Sequence, residues 1–276
     1  MDNCIDKFDF TKIYNSSTKP LIHYITNYVT SNDVANMTLA FGGSPIMAES
    51  IEEIDEITAV SSCLVINIGT VTTDKLESIK RALQVANQKH IPVILDPVGV
   101  AATSYRNKIV FDILKNYRID VVKGNASEIK ALLGLKTNSK GVDSEELDSE
   151  DISDIGVEVS RKYNTTVAIT GKIDTICNDK YIAKIEGGSS MLTSITGTGC
   201  MISPLIAVCL ARTGNAFTSS IYGILVMNEA ASLVEKSLKP EESVGTFKVK
   251  LFDNVYNIKN KNLIDGKKVV INEIRE

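Results

Sequence analysis

Four short apolar runs, separated by segments with helical spacing, constrain the fold of this chain more than any other feature. The runs are rich in β-branched residues and cover residues 63–68, 92–96, 119–123 and 166–170. Their apolar residues do not alternate strictly with polar ones, which is typical of parallel strands buried on both faces. Residues 73–89 and 126–133, which lie between the runs, have the spacing of helices. Because strand–helix–strand repeats form right-handed crossover units, the pattern predicts an α/β fold.

Two later segments are apolar almost all round and are predicted to be buried helices. The first should begin close to Cys200, because Pro204 is tolerated only near the start of a helix. The second covers residues 216–233. Residues 137–154 are rich in Ser, Asp and Glu, which predicts a solvated surface connection rather than a boundary between domains. We therefore expect one domain over residues 1–276, a length that one hydrophobic core can still support.

The composition argues against nucleic acid, a membrane or zinc as a partner. The net charge is −4, from 34 acidic and 30 basic residues without a basic block, so nothing favours binding to nucleic acid or to an anionic membrane. The N-terminal residues are polar and no stretch approaches the roughly 20 apolar residues of a membrane span, so we expect a cytoplasmic protein. Five scattered cysteines and two histidines predict neither a disulfide framework nor a zinc site. Cys63, Cys177 and Cys209 are expected to be packing residues.

Polar residues or glycines stand at the end of all four runs, including Asn67, Asp96, Asn125 and Thr170. In an open parallel sheet, ligands bind outside the carboxyl ends of the strands, so these residues predict a binding site along one edge. The chain contains neither the G-x-G-x-x-G of a dinucleotide-binding fold nor the G-x-x-x-x-G-K-[ST] of a P-loop, which argues against both classes. Any phosphate must therefore be held in another way.

The candidate phosphate site is the sequence Thr-Gly-Thr-Gly-Cys at residues 196–200. Its two glycines stand directly before the first apolar helix, so backbone N–H groups and the helix N-terminus are predicted to face one point. Such a turn can bind an anion. A Gly-Thr-Gly turn alone is equally consistent with a structural role, and the adjoining apolar helix is what favours the functional one.

Five ordered motifs resemble those of the hydroxyethylthiazole kinase family, within the ribokinase-like kinases. Residues 197–200 are similar to the G-[TA]-G-[DC] signature of ribokinase-like kinases, and a Cys at the last position resembles the thiazole kinases. The other motifs are P-L-I-H-Y-I-T-N-Y-V-T at 20–30, G-G-S-P-I-M-A at 42–48, L-D-P-V-G at 95–99 and K-G-N-A-S-E-I at 123–129. The resemblance covers nearly the whole chain. It implies a ribokinase-like three-layer sandwich, in which a mostly parallel central sheet carries helices on both faces.

The resemblance implies a specific activity. It implies transfer of the γ-phosphoryl group of ATP, with Mg²⁺, to the primary alcohol of 4-methyl-5-(2-hydroxyethyl)thiazole, which gives the thiazole phosphate for thiamine salvage. It also implies a homotrimer whose thiazole pocket lies at the boundary between subunits. ATP is then the expected co-substrate, Mg²⁺ the expected cofactor and hydroxyethylthiazole the expected substrate.

The resemblance also assigns roles to single residues. It implies a thiazole pocket at Met47 and Gly197 with Asn27 and His23 close by, a nucleotide site at Lys123, Asn125 and Thr170, Mg²⁺ ligands at Asp96 and Glu128, and catalytic residues at Gly197, Thr198, Gly199 and Cys200. These residue types suit their roles, since a thioether packs on a flat heterocycle, a lysine binds phosphate, and few carboxylates suffice for hydrated Mg²⁺. Without the resemblance, Asp96 and Glu128 are also consistent with surface caps, and His23 with a satisfied core histidine. Lys123 stands where many family members have Arg, which removes a bidentate fork.

Cys200 takes the position at which most ribokinase-like kinases have a carboxylate base. Its thiol is predicted to have a pKa below the ordinary value of about 8.5, because it lies at a helix N-terminus. The loose transition state of phosphoryl transfer asks little of any base. We therefore predict that Cys200→Ala lowers activity without abolishing it, and that Cys200→Asp raises it.

Three other functions remain open at this point. One is a ribokinase-like kinase for another vitamin alcohol, hydroxymethylpyrimidine or pyridoxal, from which residues 25–27 and 43–47 distinguish this chain. Another is the ATP- or ADP-dependent NAD(P)H-hydrate dehydratase of the same fold, which normally keeps Asp in the turn, so Cys200 counts against it. The third is a catalytically silent binding protein, because a fold does not imply a function.

Overall fold

A nine-stranded sheet organises the structure, a computed structural model that describes residues 3–135, 149–264 and 269–274. Within these ranges the strands are β1 Leu21–Ile25, β2 Ser44–Ile46, β3 Cys63–Asn67, β4 Val93–Asp96, β5 Val121–Asn125, β6 Thr166–Thr170, β7 Ile173–Cys177, β8 Tyr181–Glu186 and β9 Val269–Glu273. The helices are α1 Thr11–Tyr14, α2 Ser31–Phe41, α3 Ile54–Val60, α4 Thr73–Gln88, α5 Ser104–Asn116, α6 Ala126–Leu132, α7 Ser149–Tyr163, α8 Ile202–Thr213, α9 Ala216–Ser237 and α10 Val244–Ile258.

The sheet is parallel on one side and antiparallel on the other. Its strands follow the order β2-β1-β3-β4-β5-β6-β7-β8-β9. All pairs from β2 to β6 are parallel, and those from β6 to β9 are antiparallel. Helices connect the successive parallel strands, as parallel pairing requires a crossover. The predicted α/β fold with a mostly parallel sheet is confirmed.

Helices cover both faces of the sheet and bury two apolar cores. One core lies beneath α1, α2, α8, α9 and α10, and the other beneath α3 to α7. Adjacent strand residues alternate between the cores, so that Tyr24 belongs to the first and Ile25 to the second. Full burial of one such side chain stabilises the fold by about 1.5–3 kcal/mol. Cys63, Cys177 and Cys209 are buried, as predicted, and the three layers of the predicted sandwich are confirmed.

The predicted elements correspond to β3 to β6 and to α4, α6, α8 and α9. α8 begins at Ile202 with Pro204 as its third residue, and α9 continues to Ser237, beyond its predicted end. Residues 137–148 of the predicted solvated connection lie outside the described residues. The rest of it, residues 149–154, belongs to the first part of α7. Among the helices that the structure describes, none combines the length and apolar character needed to cross a membrane.

The N-terminal segment lies along β9, the strand at one end of the sheet. The side-chain amide of Asn3 donates a hydrogen bond to the carbonyl of Val269 (2.8 Å), and its carbonyl oxygen accepts the N–H of Ile271 (3.0 Å). The N–H of Cys4 in turn donates to the carbonyl of Ile271 (2.8 Å). These bonds satisfy backbone groups that an edge strand would otherwise leave unpaired.

Candidate active site

The carboxyl ends of β1 to β6 bring the predicted site residues to one side of the sheet, which we call the polar edge. Asn67 ends β3 and lies opposite Asp96, which ends β4. Asn125 ends β5 and lies opposite Thr170, which ends β6. Asn27 follows β1, whose neighbour in the sheet is β3. Parallel strands therefore gather these polar side chains where ligands bind in folds of this kind.

A buried ion pair lies at the centre of the polar edge. The Lys123 ammonium is 2.9 Å from Oδ2 of Asp96 and donates a hydrogen bond to the carbonyl of Gly199 (3.0 Å). The side-chain amide of Asn67 (2.9 Å) and the hydroxyl of Ser203 (3.4 Å) also donate to Oδ2 of Asp96. Burial lowers the pKa of Lys123, but the negative charge of Asp96, together with Cys200, Glu128 and the hydrogen bond to Asp96, outweighs it, so the pKa is raised overall. The ammonium therefore keeps its charge although its side chain is only 4% exposed.

Glu128 caps α6 from a buried position beside this ion pair. Its Oε2 accepts the N–H of Asn125 (2.9 Å), while Oδ1 of Asn125 accepts the N–H of Glu128 (2.9 Å), which together form a capping box. Its Oε1 accepts the N–H of Gly99 (2.9 Å). Burial, followed by the negative charge of Asp96, raises the pKa of Glu128 against the opposing charge of Lys123. Glu128 is thus a helix cap, but a buried one in electrostatic contact with the ion pair.

The Gly-Thr-Gly-Cys turn packs against the loop that follows β1. Gly197 has φ = +87°, and a Cβ added there would lie 2.3 Å from Cγ2 of Thr30. Oδ1 of Asn27 holds Thr30 by accepting its N–H (3.0 Å) and its hydroxyl (3.1 Å). The side-chain amides of Asn67 (3.3 Å) and Asn27 (3.7 Å) donate to Sγ of Cys200. The turn and the strand ends thus form one hydrogen-bonded unit.

The pKa of Cys200 corrects one prediction. Burial, followed by the negative charge of Asp96, raises the pKa of the Cys200 thiol, although Lys123 and hydrogen bonds oppose the shift. The predicted lowering by the helix N-terminus was wrong, because loss of hydration and a nearby carboxylate outweigh the helix dipole. Cys200 is therefore a neutral thiol near pH 7.

His23 is a fully buried and fully paired side chain. Its Nε2 is 2.7 Å from the carbonyl of Ala48, which can only accept, so Nε2 carries the proton. Its Nδ1 then accepts from the hydroxyl of Thr58 at 3.1 Å. Burial lowers the pKa of His23, more than the bond to Ala48 raises it. The imidazole is therefore neutral, and it holds the backbone directly after Met47.

The pH dependence of stability tests this neutral state. Because the pKa of His23 is lowered from its ordinary value of 6.5 by folding, the unfolded chain takes up a proton there that the folded chain does not as pH falls through 6.5. We expect the free energy of unfolding to fall in that range. His23→Gln, whose amide can still donate to Ala48, should weaken the fall. Thermal unfolding near pH 8 and near pH 5.5 measures it, and an identical fall in the variant would assign it to other groups.

The remaining predicted residues lie on either side of the ion pair in the strand order. Met47 follows β2 at one end of the parallel strands and is 37% exposed. Thr170 ends β6 at the other end, and its hydroxyl donates to the carbonyl of Gly124 at 3.4 Å. The hydroxyl of Thr198 donates to the carbonyl of Leu192 (2.8 Å), within the segment that carries the turn. In the strand order, Met47 and Thr170 therefore lie on opposite sides of Asp96.

Five residues at the polar edge have no predicted role: Thr30, Asn67, Lys75, Arg106 and Ser203. The ammonium of Lys75 donates to the carbonyl of Thr26 (2.9 Å), and the guanidinium of Arg106 to those of Gly69 (2.5 Å) and Val98 (3.4 Å). Both cations thus join neighbouring loops of the polar edge. Two of the five residues carry a signal in the sequence, Asn67 as a polar residue that ends an apolar run and Thr30 as the last residue of the motif at 20–30.

The sequence is similar to those of known proteins over most of its length. The family model described as the hydroxyethylthiazole kinase family matches residues 13–261. The chain belongs to that family. A hydroxyethylthiazole kinase of Alkaliphilus metalliredigens (strain QYMF) is 45% identical over 248 residues, which cover 90% of this chain and 91% of that protein. The chain is therefore a kinase, and the resemblance inferred from its motifs is confirmed.

Solved structures agree with the fold. The structure of a hydroxyethylthiazole kinase from Pyrococcus horikoshii OT3 matches with a TM-score of 0.82 and 34% identity, covering 96% of this chain and 97% of that one. A ribokinase-like superfamily protein from Enterococcus faecalis V583 matches with a TM-score of 0.65 and 12% identity, covering 92% of this chain and 95% of that one. The second match bears on the fold alone, and the predicted ribokinase-like fold is confirmed.

Proposed function

We propose that this chain transfers the γ-phosphoryl group of ATP, with Mg²⁺, to the primary alcohol of 4-methyl-5-(2-hydroxyethyl)thiazole, and so makes the thiazole phosphate for thiamine salvage. The observation that carries the proposal is the buried Asp96–Lys123 pair, bonded to the carbonyl of Gly199 in the turn. It joins a carboxylate, a fixed positive charge and a helix N-terminus at one edge. Phosphoryl transfer requires such positioning and charge neutralisation more than covalent chemistry.

The carboxylates at the polar edge fit a hydrated Mg²⁺. Oδ1 of Asp96 is buried, and no hydrogen-bond partner for it lies among the described residues, so it can accept from a ligand that the chain does not supply. Glu128 offers a second carboxylate nearby. The described part of the chain contains no cluster of three or more His, Cys, Asp or Glu side chains arranged around a metal site. Mg²⁺ does not require one, because it keeps several waters and phosphate ligands. When bound, Mg²⁺ would neutralise phosphate charge.

The chain's own residues have separate tasks in this proposal. Lys123 keeps the turn beside Asp96, and backbone N–H groups of the turn stabilise charge on the transferred phosphoryl group. Asn125 and Thr170 border the nucleotide on the β5–β6 side. On the β1–β2 side, Asn27, Met47 and Gly197 border the thiazole, and His23 fixes the backbone beside Met47. The alcohol then lies between the nucleotide and the thiazole ring.

A homotrimer in the cytoplasm, built from single-domain chains over 1–276, completes the proposal. One continuous sheet supports the single domain. Large apolar side chains are exposed after β1 and β2 on the proposed thiazole side, among them Tyr28 (78%), Val29 (56%) and Ile51 (43%). A surface of this kind favours a subunit interface there. Size-exclusion chromatography with light scattering tests the assembly.

The proposed reaction is tested by transfer of radiolabelled γ-phosphate from ATP. Hydroxyethylthiazole, hydroxymethylpyrimidine and pyridoxal serve as parallel acceptors, with a chelator control for Mg²⁺. Labelling of the thiazole alone, abolished by the chelator, is the expected result. Labelling of another alcohol would change the substrate, and no labelling of any would favour the dehydratase or a silent binder.

Substitutions of Cys200 test its role as a proton acceptor. We expect Cys200→Ala to lower kcat by about tenfold, because a loose transition state needs little help from a base. Cys200→Asp should raise kcat near pH 7, because a carboxylate, whose ordinary pKa is about 3.9, can accept a proton where the neutral thiol cannot. Cys209→Ala is the matched control, since Cys209 is buried in α8 away from the turn. A complete loss in Cys200→Ala would contradict this limited role.

A further inference from the structure

A second buried polar pair lies beyond the ion pair, where β7 meets α9. Oδ2 of Asp174 accepts a hydrogen bond from the side-chain amide of Asn228 at 2.8 Å, and the two residues are 6% and 8% exposed. Burial raises the pKa of Asp174 to about 6, although bonds from Asn228 and Gly171 oppose the shift. Near neutral pH the pair therefore contains a buried carboxylate that the proposed mechanism does not use.

The pair holds the turn that follows Thr170. Oδ1 of Asp174 accepts the N–H of Gly171 at 3.0 Å. Gly171 comes directly after Thr170, the last residue of β6 and a member of the proposed nucleotide site. Both carboxylate oxygens of Asp174 are thus occupied by N–H donors, one from this turn and one from α9.

The pair also borders the segment that leads to the Gly-Thr-Gly-Cys turn. Gly188, which follows β8, has φ = +87°, and a Cβ added there would lie 3.0 Å from Oδ1 of Asn228. One helical turn along α9, the hydroxyl of Ser232 donates to the carbonyl of Gly188 (3.0 Å). The segment continues from Gly188 to Gly197. α9 therefore contacts both chain segments that flank the proposed nucleotide position.

We propose that Asp174 and Asn228 are positioning residues for the nucleotide, which hold the turn after Thr170 and the segment after β8 at the spacing that ATP requires. This inference rests on the proposed function, because Thr170 enters the nucleotide site only there. Two apolar side chains of similar size would fill the same space at little cost in stability. What they would not supply is an acceptor for Gly171, whose position sets that of Thr170.

Exchanging the two side chains tests this role. In Asp174→Asn, an amide replaces the carboxylate and cannot accept from both Gly171 and Asn228. We expect the Kd for a non-hydrolysable ATP analogue, measured by calorimetry, to rise about tenfold, the effect of losing one buried hydrogen bond. The KM for ATP should rise in parallel, while the KM for the thiazole and kcat stay within about twofold. The double variant Asp174→Asn, Asn228→Asp restores one donor and one acceptor between the side chains, and should recover most of the affinity.

Ser220→Ala is the matched control, because Ser220 is a buried α9 residue whose hydroxyl bonds within the helix, to the carbonyl of Ala216. Like Asp174→Asn, it should lower the midpoint of thermal unfolding, but it should leave nucleotide affinity unchanged. Should Asp174→Asn not fold, Ser232→Ala removes only the bond to Gly188 and should raise the Kd by about twofold to fourfold. Unchanged Kd values in folded variants of both sites would overturn the inference. A wild-type chain that binds no nucleotide would overturn the proposed function instead.

Discussion

Asp96→Asn is expected to lower kcat/KM by about 10³-fold. Asp96 is the buried counter-charge of Lys123 and accepts further hydrogen bonds from Asn67 and Ser203. Removing one partner of such a pair leaves the other charge buried without compensation, so Lys123 and the turn that it holds are expected to move. The variant also loses a proposed Mg²⁺ ligand, and a 10³-fold loss corresponds to about 4 kcal/mol of transition-state stabilisation. Steady-state kinetics at several Mg²⁺ concentrations measure the loss. The variant should also bind Mg²⁺ more weakly, so that half-maximal activity requires a higher Mg²⁺ concentration.

Asp120→Asn is the control for this experiment. Asp120 directly precedes β5 and lies at the amino ends of β4 and β5, the strands that contain Asp96 and Lys123. There its Oδ2 accepts the N–H of Val93 at 2.8 Å. Burial raises its pKa, so it too is a partly buried carboxylate bonded to the sheet. We expect Asp120→Asn to change thermal stability while kcat/KM stays within about threefold. Equal losses of activity in both variants would show that Asp96 acts only through the stability of the sheet.

Gly197→Ala is expected to lower kcat/KM by about 100-fold. Two effects combine in the turn, since the residue has φ = +87° and its new Cβ would lie 2.3 Å from Cγ2 of Thr30. A left-handed conformation costs a residue with a Cβ about 1–2 kcal/mol, and relief of the clash requires the turn to move. Displacement of the backbone N–H groups by about 1 Å is enough for losses of this size. Kinetics with both substrates varied measure the effect.

Two variants separate the strain from the clash. Gly214→Ala creates the same kind of strain at φ = +68°, but no atom lies within 4 Å of the new Cβ, so stability should fall while kinetics do not change. Gly197→Ala combined with Thr30→Ser removes Cγ2 and keeps the hydroxyl that bonds to Asn27. This double variant should regain about tenfold of the lost activity. If it regains none, the clash with Thr30 is not the cause.

The sequence predicts the central parallel strands. β3 to β6 lie in or at the end of short, mostly apolar runs, whereas β1, although buried, has His23 at its centre and β2 is only three residues long. β8 alternates buried and accessible residues because one of its faces is less covered, so it lacks the signal of a central parallel strand. The pattern therefore identifies the middle of the sheet and leaves out both ends.

At the site, the sequence predicts which residue types stand at strand ends, but not what they contact. The bond from Asn67 to Cys200 joins residues 133 positions apart, and no local pattern encodes such a distance. The wrong pKa for Cys200 has the same origin, because the helix N-terminus is visible in the sequence while burial and Asp96 are contributed by the rest of the fold. The roles assigned to Met47, Lys123 and Thr170 remain predictions.

The position of β9 has a consequence for synthesis on the ribosome. β9 comes from residues 269–273, yet it pairs with β8 and with the N-terminal segment. Until it emerges, β8 leaves its outer backbone groups unpaired while the parallel strands before it can already assemble. The nascent chain therefore carries an open sheet edge for more than 80 residues of translation after Glu186, a period in which pairing with another nascent chain competes with correct closure.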